Sequence, residues 1–227
     1  MNNIILSQID DAQKKMGAYI ALLNYRYMNL CVKADIAALL PVSVYADGEE
    51  LNIEDVANVN MPDEYQLGVY PKEPNDLQPI IQGIYEAHPE FKMEINSVEG
   101  SEDEASKYVL YTMPDVDKNR HDFLINGVKG LYEECQARVD AVYANYQARF
   151  AELLVNASVS DADEANKALD EAHNKCDNMV DELLDKKTQE IEDAYKKYLT
   201  EEEDRKKAEN VIDFTKNFRM FNEEEEC

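Results

Sequence analysis

Three histidines, four cysteines and 48 carboxylates are the groups of this 227-residue chain that could bind a metal or move a proton. His88, His121 and His173 lie in different predicted elements, without the partner spacing of a metal-binding helix such as HExxH. His88 precedes Pro89 at a helix end, where terminal carbonyls are its expected neighbours. Cys31, Cys135, Cys176 and Cys227 are far apart and form no CxxC pair. Three of the four fall on apolar helical positions, which reads as reduced thiols in a core. Carboxylates are so numerous that closeness between two of them is expected by chance, and no EF-hand loop organises them for calcium. There is no GxGxxG, no P-loop and no GxSxG. The expectation is a protein with no catalytic residues, no metal and no cofactor, hence not an enzyme.

Two further groups could touch nucleic acid. Tyr143 and Tyr146 could stack on bases, but Asp140 and Glu152 lie nearby and no basic residues interleave them, so helix packing is the expected role. Arg138 stands beside acids on the same stretch and reads either as a phosphate contact or as an ion pair within the protein. The net charge of −25 discourages contact with DNA and with anionic membranes. That charge is unevenly spread. Residues 1–34 carry Lys14, Lys15, Arg26 and Lys33 against only Asp10 and Asp11, whereas residues 35–113 hold 17 acids against Lys72, Lys92 and Lys107. No apolar run approaches the roughly 20 residues of a bilayer span, and no signal peptide is recognisable, so the expected location is the cytoplasm.

The elements that must position these groups follow from hydrophobic period. Ile9, Ala12, Met16, Ile20, Leu23, Tyr27 and Leu30 make one helical stripe, with Ser7 and Asp10 as its expected cap. Leu124, Val128, Leu131, Cys135, Val139, Val142, Tyr146 and Leu153 make a second, over a helix of about 60 Å. Leu169, Ala172, Cys176, Val180, Leu183, Ile191, Ala194 and Tyr198 make a third, with Ser160 and Asp163 as cap candidates. Three such helices in a chain of this size must run side by side as an elongated bundle. Between them the period changes to short strands at 42–45, 58–61, 66–70, 91–95 and 108–111, with one amphipathic helix at 76–87 and a polar loop at 99–106. The fold class is therefore α+β: an elongated three-helix bundle from residues 1–34 and 114–199, with a small, β-rich α/β domain inserted at 35–113. Lys33, Ala34 and Asp35 on one crossing, and Thr112, Met113 and Pro114 on the other, form the expected hinge. Thr200-Glu201-Glu202-Glu203 reads as a further capping box, opening a C-terminal helix over 200–227 that presents Phe214, Phe218 and Phe221, before an acidic end expected to be disordered. Docking of that helix on the body is preferred over a detachable, partner-binding tail.

That order of elements resembles the ribosome recycling factor family. Lys33-Ala34-Asp35-Ile36-Ala37-Ala38-Leu39-Leu40, leading to Val44-Tyr45 and Gly48, is similar to the segment by which the family enters its second domain. Ile53-Glu54-Asp55-Val56-Ala57-Asn58-Val59 resembles its L-x-x-L-A-x-V stretch, and Leu67-Gly68-Val69-Tyr70-Pro71 its strand. Met113-Pro114, running on to Phe123, resembles its re-entry segment P-x-L-T-x-E-x-R. Gln136-Ala137-Arg138-Val139 matches a family signature letter for letter, and Leu183-Leu184-Asp185-Lys186-Lys187 with Glu190 resembles the terminal helix. The resemblance covers about residues 1–199 and leaves the tail unexplained.

The resemblance implies a non-enzymatic translation factor that enters the space between ribosomal subunits after termination and splits them with a translocase GTPase. It also implies RNA contacts. The family carries an arginine cluster after the signature, but here a gap-free comparison puts Val142, Asn145 and Tyr146 in those three places. Arg138, Arg149, Arg120 and Lys129 are the remaining candidates for RNA contact on that segment and its approach. Each lost phosphate contact lowers RNA affinity and its salt dependence. A second expectation therefore stands beside the first: a divergent paralogue that kept the scaffold, lost the RNA grip and binds a basic protein partner through its acidic face or the Phe214, Phe218 and Phe221 helix.

Overall fold

The computed structural model describes residues 3–46, 48–98 and 106–223, with side chains through residue 208. Helix α1 spans Asn3–Met28, α4 Lys118–Leu153 and α5 Val159–Glu223. All three pack on one another along their apolar stripes, burying Met16, Val128, Val139, Leu169, Val180 and Ile191 completely. The second stripe closes on Phe150, fully buried, while Leu153 is half exposed. Antiparallel α4 and α5 are joined by a tight turn in which the Ala157 amide donates to the Leu154 carbonyl at 2.9 Å. Asp117 caps α4 by accepting from the Arg120 amide at 2.8 Å. No helix among the described residues is long and apolar enough to cross a membrane.

Three helix ends differ from expectation. Ser7 and Asp10 lie inside α1, because Ile5, 4% exposed, extends the apolar stripe a turn earlier. The cap of α5 is Ser158, whose hydroxyl accepts from the Asp161 amide at 3.1 Å, two residues ahead of Ser160 and Asp163. Thr200 caps nothing. Its hydroxyl donates to the Lys196 carbonyl at 3.0 Å, four residues back, and α5 runs through it as one 65-residue helix of about 100 Å. A separate C-terminal helix is thus replaced by an extension of the third bundle helix. From Thr200 to Ala208 it is mostly exposed and carries i,i+4 pairs such as Lys206–Glu202 at 2.8 Å. The side chains of Phe214, Phe218 and Phe221, and the acidic end 224–227, lie outside the described residues, as do residues 99–105 of the polar loop expected at 99–106.

Among its described residues the insertion holds two antiparallel sheets. Strands β1 (Ser43–Ala46) and β2 (Glu49–Asn52) form a hairpin turned at Gly48, whose φ of 84° suits glycine. Strands β3 (Ala57–Asp63), β4 (Gln66–Pro71), β5 (Lys92–Ser97) and β6 (Lys107–Thr112) form a second sheet in the order β3-β4-β6-β5. Strand β2 and the short helix α2 (Ile53–Val56) carry no clean alternation and went unforeseen in the sequence. Helix α3 (Leu77–Ala87) lies against β1 so closely that a Cβ on Gly83 would collide with the Ser43 carbonyl oxygen.

The insertion has its own apolar cluster, including Leu39, Val44, Ile53, Leu67, Val69, Ile80, Ile84 and Val109. The chain changes from one core to the other within one to three residues. Cys31 belongs to the insertion's cluster and Val32 to the bundle's; on the return, Met113 belongs to the insertion and Val116 to the bundle. Cys31 achieves this with a left-handed backbone, φ 46°, rather than on a helix as its spacing suggested.

Candidate functional site

Two regions gather the charged and polar residues that the sequence singled out. One is the seam between α1 and α4. Arg138 and Arg149 are eleven residues apart, about three turns, and so share a face of α4. Beside them on α1 lie Arg26 and Lys15, which reach Glu134 and Tyr146 of α4. Arg138 donates to Glu134 at 2.9 and 3.1 Å, Arg26 reaches the same carboxylate at 2.7 Å, and the Arg138 guanidinium lies 5.5 Å from the Tyr19 ring centroid. The hydrogen bond from Arg26, reinforced by Arg138, holds the Glu134 carboxyl below its usual range. Arg138 is therefore paired within α4 to the carboxylate that Arg26 reaches from α1, yet half of its side chain faces solvent.

Farther along the seam, Tyr146 is 2% exposed and its hydroxyl donates to Asp11 while accepting from Lys15 at 2.8 Å. The hydrogen bond from Tyr146, then that from Lys15, lowers the Asp11 pKa. Arg149 stacks over the Tyr146 ring at 4.9 Å. Val142 is also packed on the bundle core, and Asn145 is exposed. Of the three places where the sequence comparison set arginines, two thus point into the bundle. Tyr143 stacks on His173, ring centroids 4.2 Å apart, and donates to Asp170 at 2.6 Å, so both tyrosines pack helices together.

Arg120 and Lys129 lie off this seam. Lys129 is exposed about half a turn round α4 from Arg138. Arg120 is turned inward toward the Cys31 carbonyl, 3.5 Å away, with its Nε buried and lacking a partner among the described residues. Burial lowers its pKa.

The second region is the junction of bundle and insertion. Both crossings are tied to one turn, between β3 and β4: the Ala34 amide donates to the Glu64 carbonyl at 3.0 Å and the Met113 amide to the Tyr65 carbonyl at 2.9 Å. Lys33 pairs with the Glu64 side chain, and Thr112 accepts from Gln66 at 3.4 Å. Asp35 caps the following 3-10 turn (Ile36–Ala38) through the Ala37 amide at 2.9 Å. From the bundle, Lys197 of α5 lies over the Tyr65 ring, and Pro114 lines the shallow cavity beside it. The sequence pointed to both crossings but to neither Tyr65 nor Lys197; a turn tip between strands carries no mark of what it will touch.

The histidines have protein partners. His121 contacts Asp122 at 3.1 Å and Glu192 at 3.0 Å, and the hydrogen bond to Glu192 raises its pKa above the usual value. His173 links Asp140 on α4 to α5 at 2.9 Å. His88 meets a carbonyl as expected, but that of Ala38 at 3.1 Å rather than one ending its own helix, and its other ring nitrogen faces Cys31 and Glu90. Cys31, Cys135 and Cys176 are buried and unoxidised. Desolvation pushes the Cys31 thiol up to about 12, which removes it as a nucleophile.

Comparison with curated proteins finds no match to this sequence. Among solved structures, a solution structure of ribosome recycling factor superposes with a TM-score of 0.66 at 19% identity, covering 85% of this chain and all of that one. Models for the T. thermophilus ribosome recycling factor and E. coli elongation factor G bound to the E. coli post-termination complex give 0.54 at 19% identity, covering 82% of this chain and 98% of the matched one. The family model described as ribosome recycling factor matches residues 26–191, from the last turn of α1, through the whole insertion and α4, to the middle of α5. The chain belongs to the ribosome recycling factor family.

Proposed function

We propose that this protein acts in translation on post-termination ribosomes, as a non-enzymatic factor of the recycling type. The bundle is the rod that enters between the subunits. The insertion is the part displaced by a translocase GTPase, and residues 35–113 tilt as a unit about the two crossings. The observation that carries this reading is a local excess of cations at the α1–α4 seam: on a chain of net charge −25, Arg138, Arg149, Arg26 and Lys15 gather there around only two paired carboxylates, Glu134 and Asp11. A localised positive strip is what phosphate contact needs, and the surrounding acids set its orientation by repulsion. The solved relative posed with elongation factor G on a post-termination complex supports the same partners. Co-sedimentation with ribosomes at low salt tests the proposal; a chain that stays out of the ribosomal fractions overturns it.

A second reading rests on a specific observation. Val142 and Tyr146 are used for packing, and only Asn145 is free to carry an added charge outward. A paralogue that had given up rRNA for a basic protein partner would look like this. Complementation of a conditional recycling-factor strain separates the two. Rescue by the unaltered chain supports recycling, whereas rescue only by Asn145→Arg supports an intact scaffold that has lost its RNA grip.

A further inference from the structure

Three side chains from three separate stretches converge where α1 gives way to the insertion. Cys31 Sγ lies 3.8 Å from His88 Nδ1, and His88 Nδ1 lies 3.4 Å from a Glu90 carboxylate oxygen; all three donor atoms fall within 4.8 Å of one another. The arrangement is built rather than incidental. Cys31 is 1% exposed and held inward by its left-handed backbone, and His88 is 7% exposed and stacked on Phe91 with ring centroids 4.6 Å apart.

The His88 tautomer is fixed by its second contact. The Ala38 carbonyl can only accept, so Nε2 at 3.1 Å carries a hydrogen, and Nδ1 is the ring nitrogen aimed between a thiol and a carboxylate. The thiol has another acceptor, the Met28 carbonyl at 3.7 Å. Nδ1, the thiol and the carboxylate oxygen thus face one another, and a metal ion placed between them would bridge all three.

The distances select the kind of cation. Tetrahedral zinc with bonds of about 2.3 Å to sulfur and about 2.0 Å to nitrogen and oxygen holds its ligands about 3.6 Å (S to N) and about 3.3 Å (N to O) apart. The sulfur–nitrogen and nitrogen–oxygen separations of 3.8 and 3.4 Å are within a few tenths of an ångström of these, and the sulfur and the carboxylate oxygen lie within 4.8 Å of each other. We propose that Cys31, His88 and Glu90 form a binding site for zinc or a zinc-like divalent cation, with the fourth position left to water. On binding, the Cys31 S–H bond breaks, its proton leaves to buffer, and the sulfur electron pair forms the bond to the metal. Thiolate and carboxylate together balance the two positive charges. Arg120, which faces Glu90 electrostatically, sets the cost of entry, and the partly exposed Glu90 side chain gives the ion its path. An occupied site would fasten the exit of α1 to the end of α3, and so restrain the first crossing. This assignment is independent of the ribosomal role.

Cobalt(II) titration of the full, metal-stripped chain tests it. The expected result is one equivalent bound, a thiolate-to-cobalt charge-transfer band, and displacement of that band by zinc. Cys31→Ser and His88→Gln each abolish the band, while the triple variant Cys135→Ser, Cys176→Ser, Cys227→Ser keeps it. Circular dichroism confirms that the variants remain folded; should either not, the triple variant alone decides. A wild-type chain with no thiolate band, a band that survives Cys31→Ser, or loss of the band in the triple variant overturns the proposal.

Discussion

The Lys197 ammonium of α5 stands 3.5 Å from the centroid of the Tyr65 ring, at the tip of the turn between β3 and β4. Since Ala34 and Met113 are both hydrogen-bonded to that turn, one contact from the bundle bears on both crossings of the chain. Truncating Tyr65→Ala is expected to loosen the junction by about 1 kcal/mol, the scale of a cation held over an aromatic face. Faster amide exchange at Ala34 and Met113, with α4 protection unchanged, is the readout. Equal loss of protection in α4 would mean that the turn supports the whole fold rather than the junction.

Arginine at position 146 should be costly and at 145 cheap. Tyr146→Arg forces a charge into the space between α1 and α4 and abandons Asp11 and Lys15, for a loss of about 3 kcal/mol in chemical denaturation. Asn145→Arg, on the exposed face, should stay within about 0.5 kcal/mol of wild type.

Arg138 should matter more for binding than for stability. Its pair with Glu134 is half exposed, so Arg138→Ala costs about 1 kcal/mol of folding or less. If the seam binds ribosomal RNA, the same change weakens ribosome association and makes the plot of log affinity against log salt shallower by about one unit. An unchanged slope removes Arg138 from the RNA contact.

His121 makes stability depend on pH in a definite direction. The hydrogen bond that His121 donates to Glu192, aided by Asp122, raises its folded pKa above the unfolded value near 6.5, while Tyr195 stacks on the ring without charge. The folded state therefore binds the proton more tightly. Its stabilisation is complete below about pH 6.5 and is lost as pH rises through the raised folded value. His121→Gln should flatten that decline in thermal melts; an undiminished decline assigns it to other groups.

Gly83→Ala should destabilise the insertion despite alanine's helix preference of about 1 kcal/mol, because the added methyl meets the Ser43 carbonyl of β1 rather than a movable side chain. A net loss of about 1 kcal/mol or more is expected from denaturant melts.

The bundle was legible because its signal is periodic and long. Met16, Val139 and Val180 announce a buried face wherever the helix begins, and the strand runs that became β1, β3, β4, β5 and β6 stand out by their change of period. Helix ends were less legible. Ser7 and Thr200 satisfy a capping pattern locally, but the apolar stripe on one side and uninterrupted i,i+4 pairing on the other carry the helix past them. The convergence of Cys31, His88 and Glu90 left no trace in the sequence, since His88 is 57 residues from Cys31 and only the folding of α3 against the insertion's core brings them together. Tyr65 and Lys197 were hidden for the same reason.

The unbroken course of α5 makes it a strut. A helix resists axial load through every backbone hydrogen bond along it, so force taken up on its outlying portion would be delivered without slack to Ala194 and Lys197, where it meets the junction. With a flexible joint at Thr200, the far end would be a mere tether. Without one, a load on the part of α5 beyond Thr200 would bear on the contact of Lys197 with Tyr65.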